Sequence, residues 1–237
     1  MAESLAARKA RARKLIRILE REYPDARIAL ESSNPLELLV ATILAAQCTD
    51  ERVNRVTKSL FKKYRNAADY AGADPLTLEA EIHSTGFYKA KARAIVGMAR
   101  ELVSTHRGRV PRTLEELVAL PGVGRKTANV VLGNAFGQQA IAVDTHVFRV
   151  SQRLGLARSN DPEVVHDQLC RVVPEARWTG FSHLLTTHGR RVCMARAPAC
   201  PACPVRALCP WPGKTGKTCS TTQDLGKLTI RVRSVTL

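Results

Sequence analysis

Along most of the chain, apolar residues recur at intervals of three and four, the spacing that lines one face of an α-helix. Leu36, Leu39, Val40, Ile43 and Leu44 form one such stripe, opened by Asn34 as N-cap, Pro35 as first helical residue and Glu37 as capping-box partner. Val53, Val56 and Leu60 follow a cap at Thr49 or Asp50, and Asp74 with Pro75 opens a shorter helix that Gly86 ends. Over 88–106 the apolar positions are Ala92, Ile95, Val96, Ala99, Leu102 and Val103, stopped by Gly108 and Pro111. A capping box at Thr113 and Glu116 carries Leu114, Leu117, Val118 and Leu120 into a turn at 121–124, after which Thr127, Ala128, Val130, Val131 and Leu132 begin another helix. Similar patterns run over 145–154, 162–173 and 178–188, so the predicted fold class is all-α. Pro and Gly become frequent after Pro198, and 213–237 has no helical stripe. Leu228, Ile230 and Val232 alternate there like a short strand, which is not stable alone, so a flexible or loosely docked tail is expected.

The chain has 237 residues, 45% of them hydrophobic, enough for a substantial core and too many for a disordered chain. Its formal net charge of +16 calls for an anionic partner, nucleic acid first. No stretch approaches the roughly 20 apolar residues that span a bilayer, and the start lacks the apolar block of a secretory signal. The Arg-rich opening also carries Glu3, Glu20 and Glu22 with Leu15, Ile16, Ile18 and Leu19, which fits an amphipathic first helix better than a transit peptide. An intracellular, cytoplasmic protein without a membrane partner is expected. In such a compartment seven cysteines do not make a disulfide framework.

Three features carry candidate chemistry. The segment LPGVGRKTANVVL joins two amphipathic patterns by a Pro-Gly-Val-Gly turn. Such a turn exposes backbone N–H groups at a positive helix end, a binding place for one phosphate; a bare GxG is more commonly a plain helix connection. Lys126, in the first turn of the following helix, sits where the dipole and Arg125 both disfavour an ammonium, which suits an amine nucleophile; a phosphate contact is the competing role. Asp144, in AVDTH, precedes a helical pattern and reads most simply as an N-cap, a role compatible with chemistry. Cys193, Cys200, Cys203 and Cys209 follow C-x6-C-x2-C-x5-C, four thiolates close enough to call for metal. Spacing alone does not choose between zinc and an iron–sulfur cluster. Cys48, Cys170 and Cys219 fall outside that spacing.

LPGVGRKTA resembles the helix-hairpin-helix of DNA repair glycosylases. With SSNPLELLVATILAAQCTD, STGFYKAKA, IAVDTHVFRV, HGRRVC and the terminal cysteines in the same order, 10–212 resembles the endonuclease III family. That resemblance implies a bifunctional DNA glycosylase and abasic-site lyase in which Lys126 and Asp144 are the catalytic pair, and one [4Fe-4S] cluster on the four cysteines. It implies two helical lobes, 28–138 and 1–27 with 139–212, flanking a DNA cleft. Gly122, Val123, Gly124, Arg125, Thr127 and His146 would contact DNA, and Gln47 and Phe87 would fill the gap left by an extruded nucleotide. Two departures bear on lesion preference: Phe87 stands where an aliphatic wedge is common, and Ala45 where a serine is. A packed core aromatic is the other reading of Phe87. The implied partner is double-stranded DNA with oxidised pyrimidines or abasic sites, bound by a monomer. An adenine glycosylase would lack the hairpin lysine, an oxoguanine glycosylase the cysteine loop. A non-enzymatic hairpin module would need neither Lys126 nor Asp144. A metal-dependent nuclease is suggested by His146, His183 and His188, but has no carboxylate-rich constellation around them.

Overall fold

The computed structural model describes residues 3–215, and every described element is helical. Among the described residues there are eleven α-helices: α1 Leu5–Glu22, α2 Pro35–Leu44, α3 Asp50–Lys63, α4 Ala67–Ala71, α5 Pro75–Ile82, α6 Tyr88–Thr105, α7 Leu114–Ala119, α8 Arg125–Ala135, α9 Thr145–Arg153, α10 Pro162–Val172 and α11 Trp178–Arg191. The all-α reading holds. The expected tail beyond the short turn Pro212–Thr215, with Cys219, Leu228, Ile230 and Val232, lies outside the described residues.

Local chemistry starts these helices. Side-chain oxygens of Asn34, Thr49, Asp74, Thr113, Asp144 and Asp161 accept backbone N–H groups in the first turns of α2, α3, α5, α7, α9 and α10. One detail differs from the reading above. The Glu37 carboxylate reaches back past Asn34 to the Ser33 N–H at 2.6 Å, bracing the approach to α2 one residue earlier than a capping box does.

The described residues divide into two compact units, one spanning Ile28–Ala140 and one joining the N-terminal residues through Arg27 to those from Ile141 onward. In the first, α6 packs against α2, α4 and α5, and α8 against α2 and α7. Leu39, Leu44, Leu78, Ile95, Met98 and Leu102 are fully buried at its centre. Val103 and Val118, assigned above to buried stripes, are 43% and 42% exposed. Each follows a core neighbour, Leu102 or Leu117, by one residue, and so points roughly 100° away from the buried face.

In the second unit α1 lies against α10 and α11, and α11 against α9. Ala12, Leu15, Ile16 and Leu19 of α1 join Val147, Val150, Leu169, Phe181 and Leu185 in its core. The Arg11 guanidinium donates to the carbonyls of Leu154 and Gly155, just past the end of α9, which satisfies acceptors that a helix C-terminus leaves open. No helix among the described residues is long and apolar enough to cross a membrane.

Candidate functional site

Leu120 and Val123, 2% and 4% exposed, anchor the Pro-Gly-Val-Gly turn between α7 and α8 in the core of the first unit. The Val123 N–H donates to the Leu120 carbonyl at 3.1 Å, so Val123 shapes the turn from inside. The two glycines differ. Gly122 has φ +73° and a Cβ there would lie 2.5 Å from Ala94 Cβ, so both backbone and packing require it. Gly124 has φ −88° and a Cβ there would meet nothing within 4 Å. The fold makes no demand at Gly124, which leaves a bare backbone facing outward at the start of α8, where no side chain caps the first turn. Arg125 and Thr127 are partly buried in that turn and Lys126 is exposed. Gly122→Ala is therefore expected to cost about 1–3 kcal/mol of stability, whereas Gly124→Ala should leave the melting temperature unchanged and weaken binding to a DNA duplex. Thermal melts and binding isotherms on both variants check the pair.

Three exposed non-glycine residues of the same unit sit on left-handed backbone: Arg107, φ +53°, just past the end of α6, and Gln47 and Phe87. Gln47 has φ +51° in the turn between α2 and α3, and Phe87 has φ +49° immediately after Gly86, at the start of α6. Phe87 is 63% exposed, which rules out a core aromatic. Left-handed φ costs a non-glycine residue about 1–2 kcal/mol, and for a bulky side chain it is an outlier. The costs at Gln47 and Phe87 are borne at side chains directed to solvent, a pattern typical of residues held ready for a ligand.

In the second unit, Asp144 does cap α9. Its Oδ1 accepts the Val147 N–H at 2.7 Å, and its Oδ2 accepts the Thr186 hydroxyl of α11 at 3.1 Å. His146 lies beside Gly189, where a Cβ would come within 3.0 Å of the imidazole, and its Nδ1 is 3.1 Å from Arg149. Burial holds the His146 imidazole below the usual histidine range, with Asp144 opposing. His183 is shifted the same way for the same reasons.

Cys193, Cys200, Cys203 and Cys209 line one hollow with His188, Arg153 and Trp211, enclosing about 350 Å³ of empty space, part of it open to solvent. Among the described residues no three metal-ligating side chains converge tightly enough to hold a single ion. Burial pushes the Cys203 thiol up, and Cys209, Cys193 and Cys200 push the same way. Surrounding donors suit sulfur. Arg153 Nη1 is 3.4 Å from Cys193 Sγ, and its guanidinium stacks 4.3 Å from the Trp211 ring. Burial raises the Tyr23 hydroxyl to about 12, so it stays a phenol, and it is hydrogen-bonded to His188 Nδ1 at 2.9 Å. Burial also lowers the His188 imidazole to about 4. The ring is then neutral, and its Nε2 lies 3.7 Å from Cys203 Sγ.

The family described as HhH-GPD superfamily base excision DNA repair protein matches residues 40–175. Endonuclease III of Synechocystis sp. (strain ATCC 27184 / PCC 6803 / Kazusa) is 49% identical over 87% of this chain and 94% of its own. The chain belongs to the endonuclease III family. Endonuclease III of Bacillus subtilis (strain 168) is likewise 49% identical, over 79% of this chain and 86% of its own. A solved structure of a trapped endonuclease III–DNA covalent intermediate superposes with a TM-score of 0.82 at 46% identity, covering 85% of this chain and 95% of that one.

For this endonuclease III family member the structure adds three residues that sequence reasoning passed over. Lys91 is 3% exposed, although it sits among the basic residues of α6. Thr186 meets Asp144 across 42 positions of sequence. Tyr23 meets His188 across 165. The VDTH and HGRRVC segments flagged the neighbourhoods of Asp144 and His188, but nothing local marked their partners.

Proposed function

We propose that the chain is a bifunctional DNA glycosylase and abasic-site lyase of base-excision repair, acting on double-stranded DNA that carries oxidised pyrimidines or abasic sites. The observation that carries this reading is the exposed Lys126 amine in the first turn of α8, directly after a glycine-rich turn with no side-chain cap. Backbone N–H groups there suit one phosphate, which places the neighbouring sugar near the amine. The net charge of +16 supplies the rest of the attraction to the duplex and makes binding strongly salt-dependent.

Lys126 Nζ attacks C1′ of the extruded nucleotide, and the glycosidic electron pair leaves with the damaged base. Ring opening gives an iminium at C1′, which acidifies C2′. Loss of the C2′ proton then expels the 3′ phosphate, cutting the strand on the 3′ side by β-elimination. The Asp144 carboxylate accepts a proton from the attacking amine and stabilises positive charge on the sugar. Covalent attachment to DNA, as in the trapped relative, is what an amine nucleophile requires. Gln47 and Phe87 fill the space vacated by the nucleotide, and His146 lies along the DNA-contacting side of α9. The test is a duplex with a single thymine glycol: release of the base together with a 3′ nick is expected, and binding without either reaction leaves only a hairpin DNA-binding module.

The same reading assigns Cys193, Cys200, Cys203 and Cys209 as ligands of one [4Fe-4S] cluster. The donor set fits: four thiols around one hollow, with an Arg153 N–H directed at Cys193 Sγ and His188 Nε2 beside Cys203 Sγ. When bound, the cluster would supply a rigid tie, holding the end of α11 with Arg190 and Arg191 and the following loop with Arg196 and Arg206 in shape beside DNA. Cys203→Ser is expected to abolish the cluster's visible absorbance and to lower the melting temperature. Iron and acid-labile sulfide analysis checks this; a protein that carries zinc, or a variant that keeps its iron, defeats the assignment.

A further inference from the structure

Lys91 is the buried cation of the first unit that this mechanism leaves without a task. Its side chain is 3% exposed, and Nζ donates to the Leu44 and Thr85 carbonyls, each at 2.8 Å. Burying an ammonium is costly, and an apolar side chain of similar volume commonly serves a core equally well or better. Stability alone does not account for it.

The two carbonyls point to another role. Leu44 is the last residue of α2, three positions before Gln47, and Thr85 lies two positions before Phe87. The turns that follow them carry two of the exposed side chains with left-handed backbone, Gln47 at φ +51° and Phe87 at φ +49°. Lys91 is itself one helical turn from Phe87, whose carbonyl accepts the Lys91 N–H at 3.0 Å. One ammonium therefore ties the end of α2 to the turn before α6. Thr85 adds a second brace, its hydroxyl donating to the Ile82 carbonyl at 2.8 Å.

We propose that Lys91 is a positioning residue whose buried ammonium brackets the Gln47 and Phe87 turns, so that both side chains enter the base stack in fixed register. This rests on the reading of Gln47 and Phe87 as inserted residues. Lys91 touches neither DNA nor the reacting atoms. Its effect should appear where a duplex must be opened, and not where the abasic sugar is already accessible.

The experiment compares cleavage of an abasic site in duplex with cleavage in a single strand, together with the fluorescence of 2-aminopurine opposite the lesion. In Lys91→Met the duplex to single-strand ratio is expected to fall about 10–100-fold, the scale of an ångström-sized misplacement, and the lesion-dependent fluorescence change to shrink. Lys91→Gln, whose amide can donate to one of the two carbonyls, should fall between Met and wild type. Adding Lys91→Met to Phe87→Ala should cost little more than the worse single change. If Lys91→Met keeps the wild-type ratio while Gln47→Ala and Phe87→Ala lower it, Lys91 has no positioning role and the insertion reading stands. If Gln47→Ala and Phe87→Ala both keep the wild-type ratio, the insertion reading fails and takes this proposal with it. Loss of the melting transition in both Lys91 variants would assign the lysine to the core and overturn the proposal.

Discussion

Lys126→Gln is expected to abolish the borohydride-trapped protein–DNA adduct and to reduce strand cleavage by about 10⁴-fold or more, a barrier of about 5.5 kcal/mol, while the protein stays at least as stable as wild type. The two halves of this prediction share one cause. An ammonium in the first turn of a helix opposes the macrodipole, at a cost of about 0.3–1 kcal/mol. Lys126 is exposed on α8 and the turn has no side-chain cap to offset that cost. Glutamine removes the charge and keeps the length and helix propensity, so the melting temperature should hold or rise slightly. A residue that weakens its own helix and is nonetheless needed for reaction is a functional residue by the only test that separates it from a structural one. Trapping on a thymine glycol duplex and on a preformed abasic site, alongside a thermal melt, reads both halves. An adduct that survives in Lys126→Gln would hand the nucleophile to another amine. A variant that loses duplex binding as well as trapping would favour the phosphate-contact role.

The helical framework was legible because its signals are local. A cap such as Asn34, Thr49 or Thr113 acts within three residues, and a stripe such as Leu36, Leu39, Val40 and Ile43 acts within two turns. Stripes do not reveal their width, which is why Val103 and Val118 belong to apolar patterns and yet stand exposed. The cysteine spacing was legible as four thiols gathered around one hollow. Its surroundings were not, because His188 and Arg153 come from α11 and the end of α9, and Tyr23 from just beyond α1.

The site was legible in part for the same reason. Gly86 marked a turn before Phe87, but no residue type announced the left-handed backbone at Gln47 or at Phe87 itself, since that conformation is imposed by the packing on either side. Lys91 shows the limit most clearly. A lysine on an amphipathic helix reads as solvated, and only the fold reveals that its ammonium has exchanged water for the carbonyls of Leu44 and Thr85.

The proposed mechanism gives Asp144 a chemical task beside its structural one as the cap of α9, and two substitutions should separate them. Asp144→Asn keeps an oxygen to accept the Val147 N–H, and asparagine is as good an N-cap as aspartate, so its stability should stay within about 1 kcal/mol of wild type. Asp144→Ala loses the cap and leaves the Thr186 hydroxyl without its acceptor, a loss of about 1–3 kcal/mol. Both remove the negative charge, so both should lower base excision by about 10²–10⁴-fold, the usual range for a positioned acid–base group. Single-turnover excision on the lesion duplex, set beside chemical denaturation, places each variant on two axes. If the charge carries the chemistry, Asn falls with Ala in rate and stays with wild type in stability. An Asn variant that cuts within about threefold of wild type, a difference of only about 0.7 kcal/mol in barrier, would reduce Asp144 to a helix cap and require another group to take the proton from Lys126.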